Sequence, residues 1–420
     1  MNTVTRSQAM PWVLIICGSL IAMITFGPRS AMGFFAHPLL QDPNLAATHW
    51  TRETFGLTLA IQNLFWGLGQ PFFGAMGDKY GTAKVLMASA ALYAAGLLLM
   101  AYPLIASNPE NALFLHLGGG VLCGLGVAAG SFSVILSSFA RNVTPAQRSM
   151  AFGIATAAGS AGMMVFAPLT VGLIASVGWQ GALIFMAGLM ALIPFLAIAL
   201  RGNSSSGTQS AVQFQQTAGE AMREAFAHKS YLLLTSGFFV CGFQVAFITA
   251  HFPAYLLDIG IPAWVGGVAM LLIGGFNIIG SLAAGYIGQR YSKPWFLALI
   301  YIGRSIAVTL FLLLPITPAS VIIFAAVMGL LWLSTVPPTN GLVAIMFGTR
   351  HLGLLGGIVF LSHQIGSFLG VWLGGYLFVH FGTYDPVWWI GVALGIFAAI
   401  VHIPIKEAIV PGRPAMMPAE

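Results

Sequence analysis

Charge is what this sequence has least of. Only 6% of its 420 residues are Asp, Glu, Lys or Arg, against roughly 25% in a soluble globular chain, which excludes a water-soluble fold. Cysteine is scarce too: Cys17, Cys123 and Cys241 lie singly in apolar runs, without the spacing of a disulfide framework or a zinc site. No cofactor or metal is implied. The net charge of +6 does not point to nucleic acid, because the basic residues stand at the ends of apolar segments, where membrane topology accounts for them. Acids are missing from the middle of every long apolar run: Asp42, Glu53, Asp78, Glu110, Glu220, Glu224, Asp258, Asp385, Glu407 and Glu420 all fall near run ends or in loops. That counts against carriers of lipophilic cations, which pair their cargo with an embedded carboxylate. No Ser/His/acid grouping occurs within the runs either, so no enzyme is expected.

What is present is hydrophobic, 58% of the chain, arranged in runs long enough to cross a bilayer. They lie near 12–38, 53–76, 83–106, 112–140, 149–176 and 180–200, then near 230–257, 262–287, 294–315, 318–347, 352–380 and 385–405. The first continues past signal-peptide length without a small-x-small cleavage pattern and reads as a retained helix. The expected fold is an all-α membrane protein of twelve transmembrane helices in two pseudo-symmetric six-helix bundles. Residues 1–200 form the N-terminal bundle, 201–229 a linker opening on Gly202-Asn203-Ser204-Ser205-Ser206-Gly207, and 230–420 the C-terminal bundle. With both termini placed in the cytoplasm, all but three of the 16 basic residues, Arg29, Arg52 and Arg304, fall on the cytoplasmic side, as the positive-inside rule requires.

The halves resemble each other: Phe65, Gly69 and Gly74 recur 211 residues later as Phe276, Gly280 and Gly285. Between the second and third runs stands Gly74-Ala75-Met76-Gly77-Asp78-Lys79-Tyr80-Gly81-Thr82-Ala83-Lys84. Its glycines permit a tight turn and close helix approach, and its carboxylate can pair with basic groups or a helix N-terminus in one conformation only. This loop resembles the signature loop of the major facilitator superfamily, in which parallel repeats rock about a midplane site. The resemblance implies a gating role for Gly74, Asp78, Lys79 and Gly81, latching the cytoplasmic side of the outward-open state. The second copy has Gln289 where the aspartate would be, so its latch should be weaker.

A finer resemblance rests on the fifth run, with Ala158-Gly159-Ser160, Ala167-Pro168-Leu169 and Gly178-Trp179-Gln180-Gly181, and on Gly27-Pro28-Arg29 with Gly33-Phe34 in the first. These look like the bacterial branch of the monocarboxylate transporter family. There are departures. The eighth-span aspartate and arginine of the animal members correspond to Asn277 and Ser281 here, and the eleventh-span lysine of the bacterial oxalate antiporter corresponds to His363. The fourth-span arginine of proton-coupled sugar and drug carriers falls on Gly120.

Ionisable groups inside a bilayer cost about 2.5–3.5 kcal/mol even on a lenient scale, so each needs a partner or a task. Arg29 lies beside the helix-weakening Gly27-Pro28 and shares a face with Gly33 and His37, an outer funnel for an anion. Arg304 sits near mid-depth with no acid at its level, so a negative substrate or backbone carbonyls must supply its counter-charge. The histidines His116, His251 and His363 are the mid-span groups able to carry a proton near neutral pH. His251 shares a face with Gln244, and His363 is followed by Gln364 and Ser367. Gln62, Trp66 and Gln70 line one face of the second run, Asn277 and Ser281 one of the eighth, and Trp332 to Asn340 suggest a kinked tenth. The candidate substrate contacts are therefore Arg29, Gln244, His251, Asn277, Arg304 and His363.

The function expected is secondary active transport of a small organic anion, a monocarboxylate, by alternating access coupled to protons. The setting is a bacterial inner membrane, with a monomeric protein and lipid and the anion as its partners. The alternatives are an efflux carrier for a drug or metabolite, since fold does not determine substrate, and a non-transporting sensor, which would call for a larger soluble domain than the 201–229 linker.

Overall fold

In this computed structural model the described residues are 10–35, 38–39, 42, 52–101, 112–201 and 216–410. The expectations for His37 and for residues 202–215 of the linker, and the side chain of Arg52, fall outside them.

Among the described residues the long apolar runs form helices and no strand occurs, as lipid demands of a backbone that must satisfy its own hydrogen bonds. Among the described residues ten helical stretches are long and apolar enough to cross a membrane by length and composition. The twelve-helix count follows on two grounds. The stretch 145–200 holds two spans that turn at Gly178, whose φ of 75° lies outside the helical range. The second helix, Arg52–Tyr80, is missing from the ten because it is more polar, carrying Gln62, Asn63 and Gln70. Large apolar side chains such as Val13, Phe72, Phe195, Leu299 and Ile323 are exposed on the outer surface, where lipid would cover them. The chain is an integral membrane protein.

Among the described residues the fourth, sixth and tenth spans are interrupted. The fourth, Leu113–Asn142, passes through a π-helical turn at His116–Leu122 and breaks again at Gly130-Ser131, and the sixth has a turn at Ala191. The tenth consists of an upper segment, Pro318–Leu331, and a lower one, Val336–Phe347. Residues 332–335 between them are not helical, and Pro337-Pro338 just beyond have no N–H to carry the ladder back.

The halves meet where the second span packs on the eleventh, Leu352–Phe381, and the fifth on the eighth, Ala263–Arg290. These contacts cluster toward the end of the bundle that carries the Gly74–Gly81 loop, here termed the motif end. A Cβ on Gly74 would lie 2.0 Å from the Gly353 carbonyl oxygen, and one on Gly285 would lie 3.0 Å from the Gly153 Cα. Only glycine allows backbones that close. Toward the opposite end Gly33, Gly56 and Gly172 face open space. The halves are thus closed against each other at the motif end.

Candidate functional site

Arg29 lies about 26 Å along the first helix, Trp12–Ala31, at 1.5 Å per residue. It is half-buried between the first two spans. One terminal nitrogen donates to Asn63 Oδ1 at 2.6 Å, and the guanidinium carbon stands 4.1 Å from the centre of the Trp66 ring. Asn63 and Trp66 are one turn apart on the second helix, so a single face supplies an acceptor and a π-surface to one cation. Arg29 Nε is buried with no hydrogen-bond partner, as is Trp66 Nε1. No carboxylate pairs with Arg29 among the described residues.

Across the meeting of the halves, Gln364 packs its Cβ where a Cβ on Gly67 would lie, 2.8 Å away. Its Oε1 is bonded to His363 Nδ1 at 2.9 Å, and Ser367 Oγ stands 3.5 Å from the same nitrogen. Gln364 Nε2 and His363 Nε2 are both buried without a partner. Below Arg29 an aromatic floor crosses from one half to the other. Trp66 meets Phe26 edge-on, Phe26 stacks on Phe132 at 4.4 Å, Phe132 approaches Phe360 at 6.3 Å, and Phe238 joins Phe360 to His363. His251 lies apart from this group, bonded through Nε2 to the Val371 carbonyl at 2.9 Å and flanked by Phe247 and Tyr384.

At the motif end the turn after Tyr80 uses Gly81 at φ 94°. Asp78 reaches the other half, where its Oδ2 accepts from the Leu354 amide at 2.9 Å, at the first turn of the eleventh span. Its Oδ1 is paired with Arg141 at 2.8 Å, and Arg141 also donates to Thr82. A carboxylate at a helix N-terminus meets both unsatisfied N–H groups and the positive end of the dipole. Burial nevertheless pushes the Asp78 carboxyl up to about 6, against the opposing pull of Arg141 and the amides of Leu354 and Gly353. Lys79 lies over the Tyr80 ring at 5.1 Å.

Two bundles joined by paired glycine contacts, with a motif loop of the first half seated on a helix of the second, are reflected in the comparisons. The model of the Major Facilitator Superfamily matches residues 14–371 and 278–415. The chain belongs to the major facilitator superfamily. It is 25% identical over 382 residues to the uncharacterized MFS-type transporter YcxA of Bacillus subtilis, covering 89% of each chain. It is 23% identical to monocarboxylate transporter 13 of Rattus norvegicus, over 87% of this chain and 82% of that one. Among solved structures, the fucose:proton symporter FucP of E. coli superposes with a TM-score of 0.71 at 13% identity, covering 94% and 98% of the two chains. The last likeness is one of fold.

Within this transporter fold, three of the candidate contacts belong to a different construction. Arg304 is 0% exposed; its Nε and one terminal nitrogen donate to the Leu331 carbonyl at 3.1 and 2.6 Å, the same terminal nitrogen also bonds the Trp332 carbonyl, and the other reaches Gln244 Oε1 at 3.3 Å. Gln244 in turn donates to Gly391 at 2.9 Å. Asn277 accepts from the Leu333 amide and donates to Ser160. All three brace the break in the tenth span or its neighbours. Sequence reasoning did not single out Asn63 beside Arg29, although its one-turn spacing from Trp66 was visible. Nor did it find Arg141 as the partner of Asp78, because 63 residues separate them.

Proposed function

We propose that this major facilitator is a secondary transporter of a small organic monoanion, a monocarboxylate, that alternates between states open at either end and takes its substrate with a proton across a bacterial inner membrane. The observation that carries the reading is Arg29, a cation inside the bundle held by Asn63 and Trp66, with its Nε–H unspent and no acid among the described residues to neutralise it. An isolated charge there is costly unless a ligand completes it. Trp66 contributes an unpaired nitrogen beside Arg29, Gln364 and His363 hold unpaired nitrogens at the far side of the aromatic floor, and the floor offers apolar surface to the rest of the ligand. The other embedded arginine, Arg304, is committed to backbone carbonyls, which favours a ligand with a single carboxylate. His363, between the aromatic floor and Gln364, is the proposed proton carrier; His251 is the second candidate. Asp78, Gly74, Lys79 and Gly81 are the proposed latch of the outward-open state, with both termini and the motif end in the cytoplasm.

The test is uptake of labelled lactate, pyruvate, acetate, oxalate and benzoate into proteoliposomes under an inward proton gradient. Saturable uptake of a monocarboxylate that falls by about tenfold to a hundredfold in Arg29→Gln is the expected result. No uptake of any acid by a folded, oriented protein would defeat the reading.

A further inference from the structure

The side chain of Asn277 joins three structural elements. Its Nδ2 donates to Ser160 Oγ at 2.8 Å, in the fifth span of the other half. Its Oδ1 accepts from the Leu333 amide at 3.0 Å, inside the break of the tenth span, and from Ser281 at 3.3 Å on its own helix. It is 1% exposed.

The two segments flanking that break have different neighbours. The upper one, Pro318–Leu331, packs on the eighth and ninth spans of its own half; the lower one, Val336–Phe347, packs also on the fifth span of the opposite half. The break is fastened on one side by Arg304, which holds the Leu331 and Trp332 carbonyls from within the same half. On the other side it is fastened at the Leu333 amide by Asn277, whose Nδ2 donates across the interface to Ser160. Ser160, for its part, donates to the Thr156 carbonyl at 3.0 Å and so is held to its own helix.

We propose that Asn277 is a positioning residue that ties the geometry of the tenth-span break to contact between the halves, making the lower segment a hinged element of the motif-end gate. When the fifth and eighth spans part, Ser160 leaves with the opposite half and Nδ2 loses the partner that fixes the carboxamide. With water or another acceptor now able to take Nδ2, the carboxamide turns and releases the Leu333 amide. The break then loses its fastening at the Leu333 amide, keeping Arg304 at the Leu331 and Trp332 carbonyls and the Cys241 contact of Thr335, and the lower segment can swing as the gate opens. The inference rests on the alternating-access part of the reading above and is independent of the anion.

The test is hydrogen–deuterium exchange of the full chain in nanodiscs without substrate, read on the peptide covering residues 329–336, with a peptide from 392–400 of the same half as reference. Asn277→Ala should speed exchange of the first peptide by about threefold to tenfold, the effect of losing one hydrogen bond. Ser160→Ala, which removes no bond to the tenth span itself, should do so as well. It should also raise the motif-end-open population by a similar factor in spin-label distance distributions between the halves. An effect of Asn277→Ala without one of Ser160→Ala makes Asn277 a local brace and overturns the proposal. So does wild-type exchange in both variants, or an effect of Ser160→Ala alone. Should Asn277→Ala not fold, Asn277→Ser carries the same comparison. Because exchange is read without substrate, failure of acid uptake would leave this result intact.

Discussion

The carboxylate of Asp78 accepts a hydrogen bond from the amide of Leu354, 276 residues away, at 2.9 Å. One side chain of the first half thus sits at the N-terminus of a helix in the second, while Arg141 pairs with its other oxygen.

This relationship predicts a pH dependence of closure. Burial raises the Asp78 carboxyl from 3.8 to about 6 in the closed state, whereas in a state with the halves parted it would titrate near its ordinary value. The closed state therefore binds the proton more tightly. Its advantage is full below the ordinary carboxyl range and is lost as pH rises through about 6. Distances between spin labels on the two halves at the motif end should shift toward the closed population as pH falls from 7 to 4.5, and that pH response should be flat in Asp78→Asn.

Gly74→Ala should open the same interface from the steric side. The added Cβ would sit 2.0 Å from the Gly353 carbonyl oxygen, and overpacking of this kind costs about 1–3 kcal/mol. The expected outcome is a fivefold or greater rise in the ratio of motif-end-open to closed states, about what 1–3 kcal/mol gives, measured by the same distances. Gly172→Ala, where nothing lies within 4 Å, should leave the distribution unchanged.

Arg29→Gln should lower kcat/KM for the transported acid by about tenfold to a hundredfold, in line with the roughly 1.5–3 kcal/mol of a charged hydrogen bond. Arg29→Lys should recover only part of this, because an ammonium lacks the planar fork that bonds Asn63 while lying over Trp66. Concentration-dependent uptake in proteoliposomes gives both values.

Arg304→Lys should cost stability first and transport second. The guanidinium holds two carbonyls and Gln244 from a site with 0% exposure, and each buried acceptor left unpaired costs about 1–3 kcal/mol. A lowered thermal midpoint in detergent, with uptake of every substrate reduced alike, is expected. Loss of one substrate at an unchanged midpoint would instead place Arg304 in contact with ligand.

His363→Gln should abolish the response of uptake to a proton gradient while leaving substrate counterflow intact, since exchange of bound anion requires no net proton movement. Gradient-driven uptake equal to wild type would remove His363 from the coupling step.

The run lengths, the scarcity of charge and the Gly74–Gly81 loop sufficed to establish from sequence a twelve-helix membrane fold and its superfamily, because helix length and apolar content are local properties that a bilayer imposes directly. Depth was legible for the same reason: Arg29 and Arg304 could both be placed inside spans by counting residues. The direction in which each side chain points was not, since it depends on which neighbours pack around the helix. Arg29 and Arg304 look alike in the sequence, yet the fold leaves one with an unspent N–H beside Trp66 and closes the other around the carbonyls of a broken helix. Asn277 likewise marked a polar face of the eighth span, and only the approach of the fifth and tenth spans decided that its amide would be shared between Ser160 and Leu333.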